Sequence, residues 1–141
     1  MNPQVSKNLP IALLSLRLTV FLVMAMWTID KFVNPAHALA VYEKFYFIGG
    51  LSTQIMWALG ALEALLLLGF LIGFARTWTY GIVLGLHAVS TLSSFQQYLN
   101  PFEGPHLLFF AAWPMLAACF ALFLLREDDT LLSVGKAQDK H

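Results

Sequence analysis

Charge is what this chain has least of. Asp, Glu, Lys and Arg make up 11% of its 141 residues, against 59% apolar, where soluble domains carry about 25% charged residues. Together with a mean hydropathy of +0.71, that scarcity excludes an ordinary water-soluble globule. Formal net charge is zero, so there is no electrostatic case for nucleic acid or for a polybasic lipid anchor. There is one cysteine, Cys119; it can form no intrachain disulfide and belongs to no CxxC pair. No glycine-rich nucleotide loop follows a strand, and no nucleophile–base motif is present. An enzyme acting alone is therefore disfavoured. Met24, Met26, Met56, Met115 and Cys119 are scattered without ligand spacing and read as apolar filler. No metal is expected, and composition names no cofactor.

What is present is a set of long apolar runs. A spanning helix needs about 20 largely apolar residues, and four such runs, at about 9–33, 51–74, 78–99 and 106–125, use nearly all of the chain. The expected fold is all-α: a polytopic membrane protein folded as an up-down bundle of four transmembrane helices over 1–126, with a polar, solvated cytoplasmic tail over 127–141. Asn34-Pro35, Gly49-Gly50 and the 100–105 segment punctuate the runs. The first run follows Lys7 but is too long for a signal peptide and ends in Asp30-Lys31 without a small-x-small site. It reads as a retained helix. Lys7, Arg17, Arg76, Arg126, Lys136 and Lys140 fall on one side and only Lys31 and Lys44 on the other. By the positive-inside rule both termini are cytoplasmic.

Two GxxxG patterns, Gly69–Gly73 and Gly81–Gly85, flank the turn between the second and third runs. They predict a close seam between those helices, or else a contact between copies in a homo-oligomer.

Glu63 sits in the middle of the second apolar run, where an ionised carboxylate costs roughly 2.5–3.5 kcal/mol even on a lenient insertion scale. Counted from the cytoplasmic ends of the runs, Arg17 lies about 12 Å in, His87 about 13 Å and Glu63 about 16 Å. One shared layer is expected, in which Arg17 faces Glu63 and His87 exchanges a hydrogen bond with them. Such a layer is either a clamp that fixes helix register or a proton-handling and ligand-orienting site, since histidine titrates near neutrality. From His87, a polar face of Ser90, Thr91, Ser94 and Tyr98 runs outward along the third helix. It either bonds its own backbone or lines a cavity that opens outward.

The opening Leu16-Arg17-Leu18, continued by Ile29-Asp30-Lys31-Phe32-Val33-Asn34-Pro35-Ala36, resembles the first helix of DoxX-type membrane proteins. The run from Glu63 through Leu68-Gly69-Phe70-Leu71-Ile72-Gly73-Phe74-Ala75-Arg76 is similar to that family's Glu-led segment with its glycine-rich end and basic turn. The likeness extends over roughly residues 12–125. The family's namesakes are associated with a thiosulfate:quinone oxidoreductase, and related members with membrane redox assemblies and thiol homeostasis. The resemblance therefore implies a membrane subunit of a redox system, working with a soluble or membrane redox partner on a quinone-like ligand. Arg17, Glu63 and His87 become the candidate catalytic or proton-relay residues, and Ser90, Thr91, Ser94 and Tyr98 the candidate ligand-binding stripe. The chain departs from thiol chemistry in lacking a cysteine pair. A non-catalytic scaffold with a structural ion pair is the competing reading. A small carrier is a third, disfavoured in a single unrepeated unit without broken helices.

Overall fold

The computed structural model describes residues 1–134, which are all-α, with six helices and two short 3₁₀ stretches. Helix α1 (Pro3–Val33) begins where the Asn2 side chain accepts the Gln4 amide at 2.8 Å and Pro3 occupies a first-turn position that needs no N–H. Its first turns are exposed. Burial starts at Leu13 and recurs at Arg17, Val20, Met24, Thr28 and Lys31, steps of three and four that define one inward face.

The Asn34 amide closes α1 onto the Asp30 carbonyl at 2.8 Å, and Pro35 then opens α2 (Pro35–Tyr46) as its first residue. The sequence reading had this stretch as a connection. Proline ends a helix but also starts one well, because its fixed φ suits the first turn.

Helix α3 (Thr53–Ile72) is capped by the Ser52 hydroxyl, which accepts the Ile55 amide at 3.2 Å. Its other end is a Schellman turn: Gly73 lies at φ +70°, with Phe74 N–H bonded to Gly69 O and Gly73 N–H to Phe70 O. Helix α4 (Arg76–Ser93) follows at once, then α5 (Phe95–Leu99), a 3₁₀ stretch (His106–Ala111), α6 (Ala112–Leu124) and a 3₁₀ turn (Arg126–Asp128).

α1 and α4 each pack against both α3 and α6, so the four long helices close a ring, with α2 laid on α1 and α3. Leu13, Val20, Met24, Leu67, Phe70, Tyr80, Val83, Cys119 and Leu122 form the shared core. The glycine seam differs from expectation. Gly69 faces Thr79 of α4, but Gly73 is spent on the left-handed cap, Gly81 meets Phe123 of α6, and Gly85 meets nothing. At Gly60 an added Cβ would stand 2.8 Å from the Phe32 ring, so the glycine lets α3 approach α1.

Polar and apolar residues are distributed inside out. Arg17, Thr28, Lys31, Arg76, Thr79, His87, Thr91, Ser94, Gln97 and Asp129 are buried, while Leu22, Leu62, Leu65, Leu68, Leu86, Val89, Leu92 and Leu124 are exposed. An apolar belt of that extent suits lipid rather than water. Pro3–Val33, Thr53–Ile72 and the His106–Leu124 stretch are each long and apolar enough to cross a bilayer. Four spans were expected. The third run is divided at Ser94 into α4 and α5, and the inward polar face of α4 lowers its mean hydropathy.

The expectation of a solvated tail from 127 onward fails for its described part. Asp129 is fully buried, and the Val134 amide donates to Ile72 O at 2.8 Å, so this segment folds back beneath the bundle. Residues 135–141 lie outside the described residues.

Candidate functional site

Two buried charged groups sit at opposite ends of the inward face of α1. The first surrounds Arg17, which is wholly inaccessible to solvent. Its guanidinium lies 3.4 Å from the Asp129 carboxylate and within 3.5 Å of the Tyr80 hydroxyl. Arg17 Nη2 also donates to the carbonyls of Leu131 and Leu132, and the Tyr80 hydroxyl donates to Asp129. Arg76 donates to the carbonyls of Arg126 at 2.6 Å and Asp129 at 3.0 Å. Two arginines thus gather the backbone of the returning segment under the α3–α4 turn. This geometry holds structure in place.

The second group surrounds Glu63. Its carboxylate is ion-paired to Lys31 Nζ at 3.0 Å and accepts the Thr28 hydroxyl at 3.1 Å. Lys31 also lies 5.8 Å from the centroid of the Tyr42 ring, a cation–π contact. Burial and the nearby Glu63 charge push the Tyr42 hydroxyl up to about 12 from its usual 10.0. Thr28 lies eleven residues beyond Arg17 on α1, which sets the two groups about 16 Å apart. Apolar side chains fill the interval: Val20 and Met24 from α1, Leu67 from α3, Val83 from α4 and Leu122 from α6.

The predicted pairing of Arg17 with Glu63 is therefore incorrect. The start of the apolar run at residue 9 was taken as the membrane boundary, but α1 begins at Pro3 and slides so that Arg17 stands level with Gly73, whose added Cβ would come 3.4 Å from Arg17 Nη1. Glu63 and His87 do share a depth. Phe70 and Tyr80 stack at 5.0 Å between centroids, and each is seven residues from its ionisable partner on the way up.

Both Glu63 and His87 line one cavity of about 830 Å³ among α1, α2, α4, the 3₁₀ stretch and α6, with Glu63 reaching it from α3. Arg17 is not on its wall. Three small residues of α6 and its approach, Ala111, Ala112 and Ala118, leave room there beside Leu108, Pro114 and Met115, while Trp27, Tyr42, Phe45, Tyr46 and Phe109 supply aromatic wall. Cavities of this size accept drug-sized molecules, and a few convergent polar groups in an apolar wall mark a binding site. Here those groups are Lys31, Glu63, His87, Ser90 and Ser94, with Asp30 at one edge. His87 Nε2 sits 3.0 Å from Ala112 O. A carbonyl only accepts, so Nε2 carries a proton, and in the tautomer with that proton alone Nδ1 is the acceptor.

The polar stripe divides. Ser90 and Ser94 line the cavity. Thr91 donates to its own helix at His87 O, and Tyr98 donates to Thr91 O and packs against Phe110 and Trp113. Near the mouth, Asp30 is held by His37 at 2.6 Å, with Trp27 stacked on the His37 ring.

Sequence reasoning missed Lys31, Thr28 and Tyr42. The sequence places Lys31 at the outer end of the first run and counts it only as a charge on that side. A lysine three residues after Thr28 on a helix opposite a buried glutamate was the available signal. For Asp129 there was none, since nothing separates it from Glu127 and Asp128 in sequence. No family model, curated protein or solved structure matches this chain.

Proposed function

We propose that the chain is an integral membrane protein of four spans, DoxX-like in α1 and α3, that binds a quinone-like lipophilic molecule as the membrane subunit of a redox system. The observation that carries the ligand reading is the cavity: apolar and aromatic, with an ion-paired carboxylate and a half-bonded imidazole on its wall. Such groups at membrane depth are costly and are functional by default. In this reading α4 is the fourth span, because Ile82, Leu86, Val89 and Leu92 are exposed on its outer face while its polar side turns inward. Both termini face the cytoplasm. Lys31 is buried and paired, so Lys44, in the last turn of α2, is the one remaining cation counted on the far side, and the positive-inside bias sharpens.

Lys31 and Thr28 hold the Glu63 carboxylate in place, and His87 offers an acceptor nitrogen. Together they can bind an oxygen-bearing head group and exchange protons with it, with Ser90 and Ser94 on the same wall. Arg17 has no part in that chemistry and instead anchors the returning segment. The test is titration of the purified protein with a tailed benzoquinone, read by quenching of Trp27 fluorescence. Saturable quenching that weakens about tenfold or more in Glu63→Gln and His87→Leu supports the reading, equivalent to about 1.4 kcal/mol. Unchanged binding in both folded variants removes it.

A scaffold reading draws on a different observation: both inward carboxylates, the partly buried Glu63 and the buried Asp129, already have a basic partner. A closed pair fixes register without further use. It predicts no saturable ligand.

A further inference from the structure

We propose that the cavity takes its ligand sideways from the bilayer, and that this ligand is an uncharged amphiphile whose planar head is buried and whose tail stays in lipid. The inference rests on the ligand reading above and specifies its route and chemical class.

Five residues belong to two surfaces at once. Val23 and Trp27 of α1, Leu86 and Val89 of α4, and Leu108 of the 3₁₀ stretch line the cavity, yet all five are exposed on the apolar belt. A side chain with one face on a cavity and another on the lipid belt marks an opening between them. α1 and α4 stand on either side of α6, so the openings flank the start of α6. There the chain runs as a 3₁₀ stretch with small Ala111 and Ala112, and Pro114 lines the same cavity.

The aqueous end is covered instead. α2 lays Ala38, Val41, Tyr42, Phe45 and Tyr46 over the cavity, and Phe45 closes against Phe109 at 5.7 Å between centroids. The His37–Asp30 contact and the Trp27 stack pin the start of α2 to α1. A solute from water meets that aromatic cover, whereas a solute in lipid meets an open flank.

The wall also selects on charge. Among the described residues its acidic and basic side chains are Asp30, Glu63, Lys31 and His87, beside the phenols of Tyr42 and Tyr46. Two carboxylates against one lysine, with the lysine already engaged by Glu63, repel an anionic head such as a fatty-acid carboxylate. Lys31 retains N–H donors beyond the one given to Glu63, and His87 presents an acceptor nitrogen. A neutral head with both carbonyl and hydroxyl character, flat enough to lie among Trp27, Tyr42 and Phe109, meets those groups without leaving a charge unpaired.

The experiment uses the full chain in lipid nanodiscs and two probes at equal mole fraction in the bilayer: a benzoquinone with a prenyl tail and the same head without one. Ala112→Phe, with Ser90→Phe as an independent filling change, occupies the cavity. Val23→Trp and Val89→Trp, singly and together, narrow the flanks. Folding of each variant is checked by circular dichroism and by a monodisperse elution profile. The expected result is that filling abolishes binding of both probes, whereas narrowing slows association of the tailed probe by about tenfold more than that of the head-only probe. A fatty acid at the same mole fraction is expected not to compete. If the filled variants still bind, the ligand reading itself fails. If filling abolishes binding while narrowing leaves the tailed probe's association unchanged, the lateral route is overturned and the cavity stands. Competition by the fatty acid overturns the assignment of an uncharged head.

Discussion

Replacing Lys31 by Met leaves Glu63 buried with only the Thr28 hydroxyl to hold it. Breaking a buried ion pair from one side costs about 3–5 kcal/mol, because the surviving charge keeps its desolvation penalty and loses its partner. Here 8% of the Lys31 side chain and 16% of the Glu63 side chain is exposed, and Thr28 still donates to the carboxylate. The expected loss is therefore at the low end, about 3 kcal/mol. Glu63→Met alone costs less, about 2 kcal/mol, since the freed lysine can extend its stem toward the interface near the end of α1. Changing both residues to Met removes both charges together and fills the space with apolar atoms, which returns stability to within about 1 kcal/mol of the parent. The measurement is a double-mutant cycle on reversible unfolding in mixed detergent micelles, followed by circular dichroism. If the double variant loses as much as the two single losses combined, the residues do not interact and the pairing argument is wrong. The same double variant separates the two functional readings. A ligand site loses its saturable quinone quenching while the fold survives, and a scaffold keeps whatever assembly it supports.

Asp129→Ala withdraws the carboxylate from Arg17 and Tyr80, both fully buried, and is expected to destabilise by about 3–5 kcal/mol without altering cavity binding; an effect under about 1 kcal/mol in the same unfolding assay would refute the account of the returning segment. For Tyr42, pushed up to about 12 from 10.0, the folded chain keeps the phenol protonated after an unfolded chain has released it. Stability is thus fully present below pH 10 and is lost as pH rises from there through about 12; ultraviolet titration of the protein against Tyr42→Phe should show the missing tyrosinate step near the upper value.

The legibility of the sequence varied with how each segment is tied to its neighbours. Helices α3 and α4 are joined by a turn so short that their depths are locked together, and counting residues from it correctly set Glu63 level with His87. No such tie joins α1 to the others. Its register depends on where Leu13, Val20 and Met24 find space in the core, and a count from the start of the apolar run misplaced Arg17 by about three turns. Helix α2 was hidden because Asn34-Pro35 signals an end and a beginning with the same two residues. The stripe on α4 was visible as a pattern, but whether a hydroxyl faces a cavity or its own backbone depends on what α6 contributes opposite it. Small alanines there opened Ser90 and Ser94, while Tyr98 turned back onto Thr91. Asp129 was beyond reach: its burial depends on two arginines from distant helices, and an acidic triplet after a span reads as solvated.

The plug of Val20, Met24, Leu67, Val83 and Leu122 between the two charged groups has an electrical consequence. Among the described residues no side-chain hydrogen bond crosses it, so the side chains themselves offer protons no path between the two groups. Under the proposed function, protons exchanged in the cavity would then reach one side of the bilayer alone, and turnover would not drain a gradient across it.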